Sequence, residues 1–324
     1  MRTAIPPLAR RLATILATFA AAAPAGAGLP AGDHLFKLAH RDRTRSYLVH
    51  VPPSGKEPKT VVLNLHGGGG NAKNQQSYSR MDAVADRRGF VTVYPNGTGL
   101  LSDRLLTWNA GTCCGYAHER NADDVGFVRA VIADLAARIA LDRERIYATG
   151  LSNGAMMAYR LAAEAPDLVA AIGPVAGAMV ALPFRARRPV PVMHIHSVDD
   201  PSALYAGGVG PAFPFTSVQV LHPAVTETLV RWTEFNRCAP QAKIDPPLFG
   251  AGKSAGHSAV RQAWGSCSGG AEVVHWKLSG AGHVWPGGDI DYLPRLLGAG
   301  TDVIDANEVL WEFFSGHRLT RTNE

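Results

Sequence analysis

The stretch Gly150-Leu151-Ser152-Asn153-Gly154 lies between an apolar run at 145–149 and a helix-like run at 155–161. In the order strand, G-x-S-x-G, helix, the serine occupies a sharp turn that points its hydroxyl out of the sheet. The glycines on either side allow neighbouring backbone to approach closely. The stretch therefore predicts that Ser152 is a nucleophile. Because the chain contains 34 glycines, a chance match remains the alternative until a base, an acid and oxyanion donors are found.

A glycine run that follows an apolar segment supplies candidate oxyanion donors. The segment 60–65 predicts a buried strand, and His66-Gly67-Gly68-Gly69-Gly70 follows it directly. We expect the backbone N–H groups of Gly68 and Asn153 to form the oxyanion hole, with Gly67 as the alternative to Gly68. A phosphate-binding loop would need Lys-Ser/Thr after the glycines, which is absent. His66 is expected to brace the loop.

An acid and a histidine follow Ser152 in the order that a serine nucleophile requires. Asp199 and Asp200 come after the apolar run 191–196, and His283 lies in a glycine-rich loop after the next strand-like run. A serine hydroxyl needs an adjacent base, and the base needs an orienting acid. The order Ser, acid, His predicts His283 as general base, with Asp199 or Asp200 holding its imidazole.

Strand-like segments alternate with helix-like segments along the chain. This pattern predicts an α/β fold, with a mostly parallel sheet covered by helices on both faces. We expect the following strands and helices: strands at 46–51, 60–65, 90–94, 169–175, 191–196 and 272–278, and helices at 76–88, 123–140, 226–235 and 303–315. Residues 239–270 are expected to be irregular, with a hairpin at 256–264.

Several other side chains have two possible roles each. Trp108, Tyr205 and Trp285 lie in loops expected around the cleft, where they would stack on substrate or pack in the core. His194-x-His196 would share one face of a strand and, with the nearby aspartates, would suit a metal. Buried histidines that hydrogen-bond behind the acid loop are the more ordinary interpretation. Asp124 is expected to be a helix N-terminal acid.

Residues 1–27 have the pattern of an export signal. Three arginines precede an apolar, alanine-rich run that is too short to span a membrane, and small residues follow it. The Sec and twin-arginine routes both remain open. The formal net charge is +5, and about +2 without these arginines. No basic run with interleaved aromatics follows, so we expect no nucleic-acid partner and no membrane span, and a location outside the cytoplasm, extracellular or periplasmic.

Four cysteines in an exported chain are candidates for disulfides. Cys238 and Cys267 flank a polar, glycine-rich stretch, which makes them the preferred pair. Cys113 and Cys114 are adjacent, and Cα atoms about 3.8 Å apart lie below the usual disulfide range. The alternative is that each of them pairs with a distant cysteine.

Together the motifs resemble a known family, the secreted esterases of the polyhydroxybutyrate depolymerase type. These esterases are similar to the feruloyl and acetylxylan esterases of carbohydrate esterase family one, within the α/β-hydrolase superfamily. The resemblance covers nearly the whole chain after the signal. It rests on the segments 64–67, 94–97, 108–111 with 113–115, 123–127, 150–157 and 282–287.

The resemblance implies hydrolysis of carboxylic esters with no metal or organic cofactor. The family's acid usually ends a His-Gly-Thr-Ala-Asp run, and counting from His196 places it at Asp200. We expect a single catalytic domain at 28–324, acting as a monomer on a hydroxyalkanoate polyester or oligoester. Plant cell-wall feruloyl or acetyl esters are the alternative substrates. A non-catalytic binding protein on the same fold is the alternative of another class.

Overall fold

A computed structural model describes residues 28–180, 184, 186–212 and 219–319. The export signal expected at 1–27 therefore lies outside the described residues. None of the helices in the described part of the chain has the length and apolar character needed to cross a bilayer.

The described residues form one large sheet and one short two-stranded ribbon. The strands of the large sheet are β1 (Gly32–His40), β2 (Arg43–Val51), β3 (Lys59–Leu65), β4 (Val91–Pro95), β5 (Leu141–Leu151), β6 (Ala171–Val175), β7 (Val192–Ser197), β10 (Lys243–Ile244), β11 (Leu248–Phe249), β12 (Ser258–Trp264) and β13 (Val273–Ser279). The ribbon pairs β8 (Gly208–Val209) with β9 (Leu221–His222).

The centre of the large sheet is parallel. Its spatial order is β1-β2-β4-β3-β5-β6-β7-β13-β12-β10, with β11 also paired to β12. The six strands from β4 to β13 in this order run parallel to one another. Antiparallel strands extend the sheet at both edges. The predicted α/β architecture with a mostly parallel central sheet is therefore confirmed.

Helices cover the sheet on both faces. They are α1 (Ala72–Ser79), α2 (Met81–Arg88), α3 (Gly115–Glu119), α4 (Asp124–Ala136), α5 (Asn153–Glu164), α6 (Val225–Phe235), α7 (Pro294–Leu297) and α8 (Ala306–Ser315). Val61 and Leu63 pack in one core cluster with α4, α5 and α6, whereas Val62 packs in a second cluster with α2 and α8. Successive strand residues point to opposite faces, so these clusters are the two layers of a sandwich around the sheet.

Three local expectations are corrected. The hairpin expected at 256–264 is instead the single strand β12, which pairs antiparallel with β13. The single helix expected at 76–88 is two helices, because Arg80 adopts a left-handed conformation (φ 54°) and its N–H closes α1 on the carbonyl of Gln76. The expectation also missed β1, whose side chains are only partly buried and which pairs with β2 at the sheet edge. Its apolar residues, Leu35, Phe36, Leu38 and Ala39, neither alternate nor form a continuous run, so hydrophobic patterning alone gives a weak signal there.

The four cysteines form two disulfides. Cys238 bonds to Cys267, as the sequence favoured. Cys113 bonds to Cys114, so the alternative in which each pairs with a distant cysteine is wrong. Because Cys238 and Cys267 are bonded to each other, Cys113 and Cys114 can bond only to one another.

Candidate active site

The candidate site lies at the edge of the sheet where the parallel strands end. β5 ends at Leu151, β7 at Ser197 and β13 at Ser279, and these strands run in the same direction. Ser152, Asp200 and His283 each follow one of these ends, so the fold brings the three expected residues to one edge. Open α/β sheets place their ligand sites at this edge.

Ser152 sits on a strained turn between β5 and α5. Its backbone has φ 57° and ψ −118°, a conformation that a residue with a side chain rarely adopts. Strain of this kind costs about 1–3 kcal/mol and persists only where the surroundings enforce it. Here the Ser152 N–H donates to the carbonyl of Val175 at 2.9 Å. The turn therefore holds its serine in the geometry of a nucleophile elbow.

The two flanking glycines are required by close packing on β3. A side chain on Gly150 would place its Cβ 2.6 Å from the carbonyl oxygen of Leu65, and one on Gly154 would overlap the same oxygen. The elbow therefore rests directly on the end of the strand that leads into the glycine run.

Asp200 is a buried carboxylate surrounded by donors. Its Oδ1 accepts hydrogen bonds from the backbone N–H groups of Ser202 and Ala203, each at 2.8 Å. Its Oδ2 lies 2.7 Å from Nδ1 of His283. Burial alone would raise the pKa of this carboxyl, but His283 and His196 beside it outweigh burial and hold the pKa of Asp200 well below its usual value. Asp200 is thus an anion in the folded chain.

Asp199 has a different partner. Its Oδ2 accepts from the backbone N–H of Gly280 at 2.7 Å, at the start of the loop that carries His283. Of the two acids that the sequence left open, Asp200 is therefore the one that contacts the histidine, whereas Asp199 anchors the loop.

The loop after β13 fixes the histidine. The backbone N–H of His283 donates to Leu297 at 2.6 Å, and Ser197 Oγ donates to the carbonyl of Ala281 at 2.5 Å. Since a carboxylate only accepts, Nδ1 of His283 carries the proton that it shares with Asp200, which leaves Nε2 as a base. Neither this Nε2 nor the Ser152 hydroxyl has a hydrogen-bond partner among the described residues. Catalytic hydrogen bonds often tighten only when substrate binds.

The glycine run presents a free backbone donor beside the elbow. A Cβ added to Gly67 would lie 3.6 Å from Cβ of Ser152, so the run and the elbow are in contact. The N–H of Gly69 donates to the carbonyl of Leu106 at 2.8 Å and that of Gly70 to the carbonyl of Gly67 at 3.0 Å, whereas the N–H groups of Gly67 and Gly68 have no partner in the described part of the chain. The first N–H groups of a helix also lack intrahelical acceptors, and Asn153 begins α5. The role of Gly68 and Asn153 as oxyanion donors stays a prediction.

His66 braces this loop from beneath. Its Nδ1 donates to the carbonyl of Gly67 at 2.8 Å, and its Nε2 accepts from the N–H of Gly97 at 2.9 Å. Burial lowers the pKa of His66 to about 4, so the ring is neutral and suits one donor and one acceptor. This placement agrees with the bracing role expected from the sequence.

The side chain of Asn153 ties the elbow to a second loop. Its Oδ1 accepts from the backbone N–H of Trp108 at 2.6 Å, and its Nδ2 donates to the carbonyl of Trp108 at 3.0 Å. Sequence reasoning assigned only the backbone of Asn153. A buried amide that closes two hydrogen bonds on one distant peptide gives no local sequence signal.

The aromatic residues expected to contact substrate are placed differently. Trp108 and Trp285 are 0% and 1% exposed, and their indole N–H groups donate to the carbonyl of His66 and to Asn307. Their substrate-stacking role is corrected to packing, because neither ring offers a free face. Tyr205 is partly buried, and its hydroxyl lies 3.0 Å from Nε2 of His275.

Asp124 is also more than a helix-terminal acid. It is fully buried, accepts from the N–H of Asn109 at 2.7 Å and pairs with Arg45 at 2.7 Å. Burial raises its pKa, against the effect of Arg45. The N-cap of α4 is Asp123, whose side chain accepts from the N–H of Gly126.

The histidine pair considered as a metal site is hydrogen-bonded instead. Nε2 of His194 lies 3.1 Å from Nδ1 of His196. Within the described residues, the groups close enough to share a metal ion are Asp33, His50 and Asp82. Asp33 and His50 lie on β1 and β2, at one edge of the sheet, whereas Asp200 follows β7, on the other side of the central strand β5. Gln76 already donates to Asp33 and Asp82.

Comparison with solved structures defines the class of fold. The chain is similar to an acetyl xylan esterase from Aspergillus awamori (TM-score 0.55, 14% identity, covering 87% of this chain and 99% of that one). It is also similar to a dienelactone hydrolase-like promiscuous phosphotriesterase from metagenomic libraries (TM-score 0.56, 15% identity, covering 89% and 100%). At these identities the likeness shows the fold alone, which is that of an α/β-hydrolase.

Sequence comparison places the chain within this class. Residues 45–230 match the model of the family described as esterase PHB depolymerase, and the chain belongs to that family. A putative esterase, NocK, of Nocardia uniformis subsp. tsuyamanensis is 30% identical over 284 residues, covering 85% of this chain and 80% of NocK. A probable feruloyl esterase C of Aspergillus flavus is 24% identical, covering 85% of each chain.

A further relative is a longer protein. The bifunctional acetylxylan esterase/xylanase XynS20E of Neocallimastix patriciarum is 29% identical over 75% of this chain, but the chain spans only 31% of that protein's length. The family and these relatives support a carboxylic ester hydrolase.

Proposed function

We propose that this protein is a serine esterase that hydrolyses carboxylic esters through an acyl-enzyme. The observation that carries the proposal is the buried hydrogen bond of 2.7 Å between Asp200 and His283, at the sheet edge where Ser152 occupies a strained turn. Ser152 attacks the ester carbonyl while Nε2 of His283 takes its proton. Asp200 holds the imidazole and stabilises the imidazolium that forms.

The oxyanion of the tetrahedral intermediate is bound by the N–H groups of Gly68 and Asn153. The imidazolium then returns its proton to the leaving alcohol, which gives the acyl-enzyme. Water attacks the acyl group in the second half of the reaction, with His283 again as base. Each oxyanion donor is worth about 2.7–4 kcal/mol of transition-state stabilisation in related chemistry.

For the substrate, we propose a hydroxyalkanoate oligoester or polyester, because the matching family is that of PHB depolymerase esterases. Feruloyl or acetylxylan esters are the second candidate, favoured by the names of several relatives. Initial rates on hydroxybutyrate oligomers, methyl ferulate and acetylated xylan, measured side by side, separate the two. A kcat/KM on the oligomers below that on both cell-wall esters would overturn the first choice.

We further propose that residues 28–324 form one catalytic domain that is secreted after removal of residues 1–27. Expression of the full chain and N-terminal sequencing of the exported protein test this. Recovery of only uncleaved protein in the cytoplasm would contradict it.

Release of nitrophenol from p-nitrophenyl butyrate is the first activity test. The wild type should turn over this ester, and Ser152→Ala should lose the activity while remaining folded. Equal rates for both proteins would refute the assignment and favour a binding protein on a hydrolase fold.

A further inference from the structure

The hydrogen bonds at Asp200 continue into the core beyond the proposed triad. Oδ2 of Asp200 lies 3.1 Å from Nε2 of His196, and Nδ1 of His196 lies 3.1 Å from Nε2 of His194. Nδ1 of His194 in turn lies 2.9 Å from the hydroxyl of Tyr159 on α5. All four side chains are buried, with at most 4% of any of them exposed. An unbroken chain of contacts therefore leads from the carboxylate to a tyrosine inside the protein.

The direction of every hydrogen bond in this series follows from the contacts that His196 makes at the end nearest Asp200. Nε2 of His196 contacts the carbonyl oxygen of Ala203 at 2.8 Å as well as Asp200, and both oxygens only accept. Nε2 of His196 therefore carries hydrogen, and in a neutral ring Nδ1 is an acceptor. His194 must then donate from Nε2, which makes its own Nδ1 the acceptor for the hydroxyl of Tyr159. All donors point towards Asp200.

The surroundings favour neutral rings. Burial, followed by His196 and His275, holds the pKa of His194 well below its usual value. The titratable groups that face His196 from the strands, loops and helix around it are Asp200, His194, Tyr205, His222, His275 and, across Asp200, His283. Asp200 is the one carboxylate in this set, and it already receives the proton on Nδ1 of His283. A second cation beside it would be uncompensated in a buried site.

We propose that Tyr159, His194 and His196 are positioning residues that act through Asp200. Each of them donates a hydrogen bond in the direction of Asp200, and together they keep its carboxylate ionised and oriented towards His283. Four N–H groups then surround Asp200, namely those of Ser202 and Ala203, Nδ1 of His283 and Nε2 of His196, which lies 2.8 Å from the carbonyl oxygen of Ala203 and 3.1 Å from Asp200. Ser202 and Ala203 donate to Oδ1, whereas His196 contacts Oδ2, the oxygen that also binds His283. This series of hydrogen bonds thereby determines the orientation of Asp200. It also determines how strongly the carboxylate attracts the imidazole of His283. The kinetic consequence rests on the proposed esterase function, whereas the protonation pattern does not.

The protonation pattern is tested directly by NMR of the wild-type protein labelled with nitrogen-15 in histidine. The two tautomers and the cation of histidine give distinct nitrogen shifts. We expect His194 and His196 to be neutral with hydrogen on Nε2, and His283 to be neutral with hydrogen on Nδ1. Assignment uses His194→Gln and His196→Gln, each of which removes one signal. Hydrogen on Nδ1 of either core histidine, or a cationic His196 at neutral pH, would overturn the proposal, whether or not the protein hydrolyses esters.

The positioning role is tested with a matched pair of variants at one residue. His196→Leu removes the donor to Asp200, whereas His196→Gln retains an N–H that can reach it. A hydrogen bond to a charged group is worth enough to change kcat by about 10- to 100-fold. We expect His196→Leu to lose activity in this range with little change in KM, and His196→Gln to recover most of it. Tyr159→Phe, which removes the far end of the chain, should have a smaller effect in the same direction.

The dependence of kcat on pH distinguishes a positioning role of His196 from a general loss of packing in the variant. With one donor fewer, the carboxylate attracts the imidazolium more strongly, so the acidic limb of kcat should move to higher pH in His196→Leu. His317→Gln, which replaces a histidine paired with Glu272 near the last helix, is the control and should leave the profile unchanged. Folded His196→Leu with wild-type kcat and an unmoved limb would contradict the proposal. Should that variant fail to fold, the NMR measurement on the wild type still decides.

Discussion

Asp200 and His283 form a buried hydrogen bond of 2.7 Å although they are 83 residues apart in the chain. β7 and β13 are neighbouring parallel strands, and each of the two residues lies just beyond the end of its strand. The neighbouring Asp199 turns away to the N–H of Gly280. This arrangement gives two adjacent carboxylates two different tasks.

Replacing each aspartate by asparagine should separate these tasks. Asp200→Asn should lower kcat by about 10⁴-fold, as loss of the acid does in other serine triads, because the amide does not hold the imidazole in its reactive tautomer. Asp199→Asn should retain most activity, since an amide oxygen still accepts from Gly280. Steady-state kinetics on p-nitrophenyl butyrate measure both. A larger loss in Asp199→Asn would move the role of the acid to that residue.

The side chain of Asn153 should contribute to stability as well as to catalysis. Asn153→Ala leaves the N–H of Trp108 buried without an acceptor, which costs about 1–3 kcal/mol of unfolding free energy. Because the same change frees the start of α5, where an expected oxyanion donor lies, kcat should also fall; a loss of about 1.4 kcal/mol of transition-state stabilisation would lower it about tenfold. Urea denaturation and kinetics report the two effects. The exposed Asn74→Ala should change neither, and an Asn153→Ala protein as stable as the wild type would show that the contact to Trp108 is dispensable.

The bond between Cys238 and Cys267 should stabilise the fold mainly by closing a loop. Its cysteines are 29 positions apart, and the chain-entropy model gives about 3–4 kcal/mol for such a loop. The double variant Cys238→Ala/Cys267→Ala should lower the unfolding free energy by this amount while the proposed site stays intact. Denaturation of the oxidised wild type beside the variant measures it. A difference below about 1 kcal/mol would mean that the loop is already ordered in the unfolded chain.

Stability should fall as the pH is lowered through the range in which free histidine titrates. Burial lowers the pKa of His66 to about 4 and that of His275 to about 3, and burial together with His283 lowers the pKa of His222 to about 4. Between these values and about pH 6.5 the unfolded chain binds more protons than the folded one, so the unfolding free energy decreases with falling pH.

Replacement of His275 tests this linkage. His275→Gln removes one of the groups, so the slope of unfolding free energy against pH should decrease by up to about 1.4 kcal/mol per pH unit. Urea denaturation from about pH 6.5 down to pH 4.5 measures the slope. A wild-type slope of zero, or an unchanged slope in the variant, would contradict neutral buried histidines.

The sequence was sufficient for the parallel sheet and for the order of the site residues, because both depend on local signals. Apolar runs mark the central strands, and the motif around Ser152 marks the turn after β5. The partly buried β1 lacks such a run, so it was missed. The break at Arg80 was missed as well, since an arginine gives no sign of a left-handed backbone.

The misjudged side chains are those whose roles depend on distant partners. Trp108 is buried because its indole and backbone are bound by His66 and Asn153. Asp200 was correctly preferred to Asp199 from the resemblance, and the structure adds the partner of Asp199, the N–H of Gly280, 81 residues away. The direction of the hydrogen bonds from Tyr159 to Asp200 could be assigned only from the contact between His196 and the carbonyl oxygen of Ala203. Patterns along the sequence do not contain these contacts, and the folded chain supplies them.

Covalent labelling tests most directly whether Ser152 is the nucleophile of an esterase. A fluorophosphonate probe reacts with a serine that a neighbouring base has activated. The folded wild type should be labelled on Ser152, as mapped by peptide mass spectrometry, with parallel loss of p-nitrophenyl butyrate hydrolysis, and Ser152→Ala should not be labelled. Folded wild-type protein that hydrolyses the ester but carries the label on another residue, or carries none, would contradict the account.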